Sequence, residues 1–214
     1  NLSISDMLGR KIELKQPVGK AVVLTPAECE IIYALGAGNV VVGRGSYCDY
    51  PEQVQQITEV QSGSEANVEQ IIALEPEAVI MNSMAHSDEL VSQLEAAGII
   101  VIVSEATDIE GVYSSIELIG AALGKSSEAN ELISSMKDTF ADIAANVPEQ
   151  QGEKKKVYFE TSPLEYDLWT AGRGTFMNEI AEMLGLENIF SDVEGWPQVD
   201  QEQVIERNPD YIVT

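Results

Sequence analysis

Between Ser126 and Asn146 apolar residues fall at Ala129, Leu132, Ile133, Met136, Phe140, Ile143 and Ala144, with Val147 just beyond. Steps of one, three and four mark one face of a helix and fit no strand. Ser126 or Ser127 can cap the start, and Glu128 suits a helix N-terminus. Pro148 lacks an N–H and restricts Val147 before it, so the pattern predicts an end there. About 20 residues of helix reach roughly 30 Å, the width of a small domain. A connection that long and stiff reads as a backbone helix, residues 125–148, with an α/β lobe on either side (1–124 and 149–214).

Ahead of that helix, Ile4 to Leu14 alternate weakly around Leu8-Gly9-Arg10 and predict an edge hairpin. Apolar runs follow at Ala21–Leu24, Asn39–Val42, Ala78–Met81 and Ile99–Val103, with Gly43-Arg44-Gly45 expected to break the second. Between them, helical spacing covers Glu28–Leu35, Asn67–Leu74 and Ser87–Ala97, and Ile109–Leu123 follows; Gly36, Gly98 and Gly124 stop three of these. Four such runs alternating with helices predict a parallel sheet covered on both faces. After the long helix, Glu153-Lys154-Lys155-Lys156 reads as a solvated entry to strand Val157–Phe159. Helices at Phe176–Leu184 and Gln201–Arg207 and a strand at Tyr211–Val213 complete a second lobe, which is short of strands and expected to be incomplete.

A repeat links the lobes. Residues 67–80 lie on residues 200–213 without a gap, at an offset of 200 − 67 = 133. Glu69 meets Glu202, Gln70 meets Gln203, Ile72 meets Ile205 and Pro76 meets Pro209, and each copy opens on a helix cap, Asn67 or Asp200. One copy at this distance points to two similar lobes, not to a solenoid.

Charge narrows the partners. Lys and Arg number 12 against 36 Asp and Glu, a net charge of −24. Such a surface repels phosphate backbones, which argues against nucleic acid or anionic membrane and suits a protein with basic patches or a neutral or cationic ligand. No apolar run approaches the ~18–20 residues of a membrane span. Cys29 and Cys48 are too few for a disulfide scaffold; they either pair across a short loop or stay as buried thiols.

Catalytic signatures are missing. With a single histidine, His86, a catalytic His triad or a zinc or manganese cage made chiefly of imidazoles is hard to assemble, and no metal site or catalytic residue is assigned. It follows a predicted strand end, where α/β proteins hold ligands, and reads either as a ligand contact or as an exposed loop histidine. Gly43-Arg44-Gly45 and Gly172-Arg173-Gly174 lack the third glycine of a dinucleotide fingerprint and read as turns. Aromatic residues recur instead at strand ends and loops: Tyr47, Tyr50, Trp169, Phe176 and Trp196. They suit a cleft for a flat or bulky ligand held by stacking, or else pack as small satellite cores under loops.

Several stretches carry a family pattern: Asp6–Arg10, Leu24-Thr25-Pro26 with Glu30-Ile31, Ala34–Gly38, and Ser46-Tyr47-Cys48-Asp49-Tyr50-Pro51. Glu69–Pro76, Thr170–Phe176 and Trp196–Val199 follow in order. The chain resembles the substrate-binding proteins of ABC importers for cobalamin, haem or iron–siderophore complexes, those with a single backbone helix between lobes. The resemblance implies an extracytoplasmic, lipid-anchored monomer with its leader removed, a small-molecule ligand in the cleft and an ABC permease dimer as partner, with no cofactor of its own. It also implies that Glu69 and Glu202 dock onto permease arginines. Ligand contacts are expected at Tyr47, Asp49, Tyr50, Pro51, Asn82, His86, Pro163, Trp169, Phe176 and Trp196. Cobalamin receptors have cleft tryptophans where this chain has Gly63 and Asn82, a departure from their pattern; Tyr47, Tyr50 and Trp196 remain, with Pro163 and Phe176 on the other wall, and keep a corrinoid first among the three cargoes. His86, Met84 or a tyrosine are the candidate axial ligands to a haem iron. An α/β enzyme and a ligand-binding sensor or surface protein are the competing classes.

Overall fold

In the computed structural model, the described residues are 2–63, 66–148, 152–162 and 164–214. The chain divides into two units, Asn1–Ala106 with Gly111–Ser135, and Thr107–Glu110 with Met136–Thr214. Strands β1 (Leu2–Ser5) and β2 (Lys11–Leu14) form the expected antiparallel hairpin. The turn of this hairpin is locked by Asp6, which is buried. Its carboxylate accepts from the Leu8 and Arg10 N–H groups and pairs with the Arg10 guanidinium at 2.6 Å.

Next come β3 (Ala21–Val23), α1 (Pro26–Ala34), β4 (Val41–Gly45), β5 (Glu59–Val60), α2 (Val68–Ala73), β6 (Ala78–Met81), α3 (Asp88–Ala96), β7 (Ile100–Val103) and α4 (Ile109–Leu123). The sheet runs β5-β4-β3-β6-β7, with every pairing parallel. Val22, Leu24, Val79, Met81, Val101 and Val103 share one core with Ile71 of α2 and Leu90 and Leu94 of α3. The alternate residues Ala21, Val23, Ala78, Ile80 and Ile102 are equally buried. Both faces of the sheet are therefore covered, as a parallel sheet requires. The Asp6–Arg10 turn is tied to this sheet, since the Met7 N–H donates to Val103 O at 3.0 Å and Arg10 Nη2 to Val101 O at 2.9 Å.

One expectation is corrected here. Gly43-Arg44-Gly45 does not break a strand but lies inside β4, which starts at Val41 after a short 3₁₀ turn over Gly38–Val40. The glycines serve close approach, because a Cβ on Gly45 would sit 2.3 Å from Leu24 O and one on Gly43 2.5 Å from Leu74 Cδ1.

Helix α5 (Ser126–Ala145) is continuous over 20 residues, and the division between the units falls within it. It begins on Ser126 itself, so the flanking residue is Lys125, whose carbonyl accepts from the Ala129 N–H at 2.9 Å; neither serine caps it. Ala129 and Ile133 are buried, Met136 and Phe140 half-buried, and Ile143 exposed.

The second unit contains β8 (Lys156–Phe159), β9 (Leu168–Trp169), α6 (Phe176–Met183), β10 (Glu187–Asn188), β11 (Gln198–Val199), α7 (Gln201–Arg207) and β12 (Tyr211–Val213). Its parallel sheet runs β10-β8-β12, and a small antiparallel pair joins β9 to β11. Val157 and Phe159 pack with Ala171 and Ala181, while Tyr158 faces the other way onto Leu168, Ile189 and Phe190. The order β10-β8-β12 matches β4-β3-β6 of the first unit, since β6 and β12 end the two copies of the repeat.

Candidate functional site

In a sheet whose strands all run one way, the carboxyl ends share one edge, and ligands of open α/β sheets bind beyond it. Beyond β4 on that edge of the first unit lie Tyr47, Asp49, Tyr50 and Pro51. Cys48 and Val54, both buried, anchor this loop from below. The Cys48 N–H donates to Gly45 O at 3.1 Å, and the Ser46 N–H to Ser62 Oγ at 3.3 Å. Fixed by those inward residues, the tyrosines turn outward, with Tyr47 80% exposed and Tyr50 66%. Cys29 and Cys48 are buried free thiols in this structure. The hydrogen bond between them, and then burial, push the Cys29 thiol above its ordinary pKa.

The turn after β6 carries Asn82, Ser83, Met84 and His86. Asn82 is half-buried and is the hub of this turn. Its carbonyl accepts from the Ala85 and His86 N–H groups, each at 3.1 Å, and its Oδ1 accepts from the Met84 N–H at 3.0 Å. The Ser83 N–H donates to Glu105 Oε2 at 3.0 Å, beyond β7. So held, the turn leaves the Met84 thioether 81% exposed. The His86 ring is largely covered, and its Nε2 lies 4.0 Å from Asp88 Oδ1, too far for a hydrogen bond. β3 separates β4 from β6, so the two loops leave the sheet about 10 Å apart, two strand spacings.

Beneath that turn sits a group that the sequence reading missed. Glu28, in the first turn of α1, is only 2% exposed. Its Oε2 accepts from the Thr25 hydroxyl and from Asn82 Nδ2 (3.1 Å), and its Oε1 is bonded to the Ser104 hydroxyl. Thr25 Oγ1 also accepts from the Asn82 N–H at 3.1 Å, which directs the threonine proton toward Glu28. Burial raises the Glu28 pKa above its ordinary value, against the opposing pull of its hydrogen-bond donors. Thr25-x-x-Glu28 has the spacing of a capping box, but Thr25 makes no side-chain capping bond. The pattern is spent on joining the ends of β3, β6 and β7.

In the second unit, Trp169 ends β9 and pairs with Gln198 of β11. The following loop is stitched to residues 193–197: the Thr170 N–H donates to Pro197 O, Gly172 N–H to Gly195 O and Arg173 N–H to Val193 O, at 2.7–3.1 Å. Gly172 is required there, because a Cβ would sit 2.1 Å from Val193 O. Gly172-Arg173-Gly174 is thus a bridged segment that turns only at Gly174, not a turn throughout. Buried Thr175 caps α6 by accepting from the Asn178 N–H, and buried Asn188 ties the same loop down through Ala171 O at 2.7 Å. This frame brings Phe176 and Trp196 into contact, their ring centres 5.8 Å apart at 55°. Trp169 and Trp196 remain about two-fifths exposed. Pro163 lies outside the described residues.

The structure thus gathers Tyr47, Asp49, Tyr50 and Pro51 on one loop, Asn82 and His86 on a second, and Phe176 with Trp196 in the other unit. Among the described residues no cluster of His, Cys, Asp or Glu could hold a metal, and no helix is long and apolar enough to cross a membrane.

Comparison with known proteins gives a consistent picture. A family model described as periplasmic binding protein matches residues 22–214. An uncharacterized ABC transporter substrate-binding lipoprotein of Bacillus subtilis, YvrC, is 37% identical over 217 aligned residues, which span all of this chain and 68% of that protein. The vitamin B12-binding protein of Salmonella typhimurium is 30% identical over 195 residues, 91% of this chain and 71% of that protein. Among solved structures, a possible iron-binding periplasmic solute-binding protein of Staphylococcus epidermidis superposes with a TM-score of 0.78 at 30% identity, over 92% of this chain and 77% of that one.

Proposed function

Because this chain belongs to the periplasmic binding protein family, we propose that it is the extracytoplasmic substrate-binding component of an ABC importer. It captures a corrinoid, or failing that an iron complex, and hands it unchanged to a permease. The observation that carries this reading is the set of large side chains left open beside anchored loops: Tyr47, Tyr50 and Met84 on the first unit, Trp169 and Trp196 on the second, with half-buried Phe176 packed against Trp196. Burying such residues would have stabilised the fold; leaving them exposed on anchored loops suits a broad, flat ligand that contributes the missing contact. A corrinoid stands ahead of a ferric siderophore because the −24 charge disfavours strongly anionic complexes. Likeness to the B12-binding relative supports the same order.

The permease would meet Glu69 and Glu202, which are exposed in the first turns of α2 and α7 and occupy the same position in the two copies of the repeat. A lipid anchor outside the described residues and a monomeric state complete the proposal.

The test is a titration of the purified protein with cyanocobalamin, haemin and a ferric siderophore, followed by tryptophan quenching and ligand absorbance, with the bound compound recovered and weighed by mass spectrometry. Saturable binding of one class and recovery of the intact compound are expected. Recovery of a chemically altered compound would replace this reading with an enzymatic one, and no binding by any of the three would remove the cargo assignment.

A further inference from the structure

Within the first unit, one buried acid serves no purpose that stability alone explains. Glu28 sits among apolar strands at almost no exposure, where a carboxylate is costly unless fully bonded. A medium-sized apolar side chain would fill such a place at less cost, as replacements of buried polar groups commonly show. What Glu28 does that an apolar side chain cannot is hold Asn82 by its amide at 3.1 Å while sharing the Thr25 hydroxyl that receives the Asn82 N–H.

We infer that Glu28 is a positioning residue of the cargo site: it clamps Asn82, and through Asn82 the turn that presents Met84 and His86. Every link in that chain is a hydrogen bond between ordered groups. With Nδ2 committed to Glu28, the amide of Asn82 has one orientation, and its Oδ1 faces the Met84 N–H. The Asn82 carbonyl then closes the turn onto Ala85 and His86. Ser104 fixes the other carboxylate oxygen from the end of β7, so the clamp cannot swing. An exposed methionine has little of its own to hold it, and its placement depends on the backbone beneath. This inference rests on the cargo reading above for what the turn touches, but not for what Glu28 holds.

Three variants test it. Glu28→Gln keeps each bond, with the amide oxygen accepting from Thr25 and Asn82 and the NH₂ donating to Ser104; Glu28→Ala keeps none; Asn82→Ala keeps Glu28 with Thr25 and Ser104 and removes the clamp together with the acceptor of the Met84 N–H. Cyanocobalamin and haemin affinities are measured together with hydrogen exchange of the Met84 amide. Expected is a roughly tenfold or greater loss of affinity and faster Met84 exchange in Glu28→Ala and Asn82→Ala, with Glu28→Gln within about threefold of the unaltered protein. Recovery by glutamine shows that the bonds and not the charge are needed, and a fourth variant, Glu28→Met, keeps the bulk without the bonds and should bind as weakly as Glu28→Ala. If Glu28→Ala does not fold, Glu28→Met, which fills the space and makes none of the bonds, decides the matter. A folded Glu28→Ala or Asn82→Ala variant that binds as tightly as the unaltered protein overturns the inference, and so does unchanged Met84 exchange. Should the unaltered protein bind neither probe, the cargo reading falls by itself, and the exchange rates still decide whether Glu28 holds the turn.

Discussion

Residues 67–80 of the first unit and 200–213 of the second fold alike and then part ways. Asn67 and Asp200 each accept from the N–H three residues on, Gln70 and Gln203. Each helix is followed by a non-glycine residue in the left-handed region, Glu75 at φ 49° and Asn208 at φ 48°, and 208 − 75 = 133 is again the repeat offset. A proline and a strand come next in both. The glutamines already differ: Gln203 reaches back to the Asp200 N–H and closes a capping box, whereas Gln70 accepts from the Gln61 N–H. The strands differ most. All four residues of β6 are completely buried between β3 and β7, but β12 pairs with β8 alone and its three residues are 49–60% exposed. Local sequence thus sets cap, helix, turn and strand in both copies, while neighbours set burial, which is why strand preference is so dependent on context.

The largest effect should come from placing one charge at equivalent points of the two strands. Val79 and Ile212 correspond at the repeat offset (212 − 79 = 133). Val79→Asp buries a carboxylate among apolar side chains and is expected to cost about 4 kcal/mol or more, or to prevent folding. In the 214-residue chain Ile212→Asp should cost about 1 kcal/mol or less, because Ile212 is 60% exposed among these residues. Urea denaturation of both variants checks the contrast. Equal losses would mean that β12 is covered in solution.

That contrast also marks what could be read in advance. The alternation of apolar runs with helical spacing made the parallel sheet of the first unit legible, and gapless matching made the repeat legible. β5, β9, β10 and β11 were not, because two residues carry no period. Gly43 and Gly45 looked like a turn because a glycine needed for close approach and one needed for a bend are the same letter. On the candidate site, Tyr47, Tyr50, Phe176 and Trp196 could be picked out as aromatics within two residues of a glycine or proline. Glu28 could not: its partners Asn82 and Ser104 lie 54 and 76 residues away, so no local spacing betrays them.

Next in size is the effect of charge on what the two copies present. Under the docking proposal, Glu69→Lys and Glu202→Lys should each weaken uptake in cells that carry the cognate permease. The double reversal should lower it at least about tenfold, since like charges at an interface repel, while cargo affinity stays within about twofold. The alternative role for each acid is to complement its own helix N-terminus, a matter of ~0.3–1 kcal/mol of stability. Uptake and affinity measured side by side, with thermal melting as a control, separate the two. Undiminished uptake by the double variant would end the docking proposal. A loss confined to one copy would show that the repeat is symmetric in fold and unequal in use.

The smallest effect concerns the residue at which the copies turn from helix to strand. A left-handed backbone costs most L-residues about 1–2 kcal/mol, and asparagine less than glutamate. The second copy has the favourable residue, Asn208, and the first has Glu75. Little holds Glu75 there, because its one ion pair among the described residues, with Lys20 at 4.0 Å, joins two exposed side chains. Glu75→Asn should therefore raise stability by about 0.5–1 kcal/mol, and Asn208→Glu should lower it by a similar amount. At this chain length that corresponds to a melting shift of roughly 1–4 °C in each direction. Opposite shifts of similar size mean that the turn is one local device used twice, indifferent to whether the strand after it is buried or bare. If only Glu75→Asn moves the melting point, the turn before β6 draws on the buried sheet around it, and the likeness of the two copies stops at their backbone.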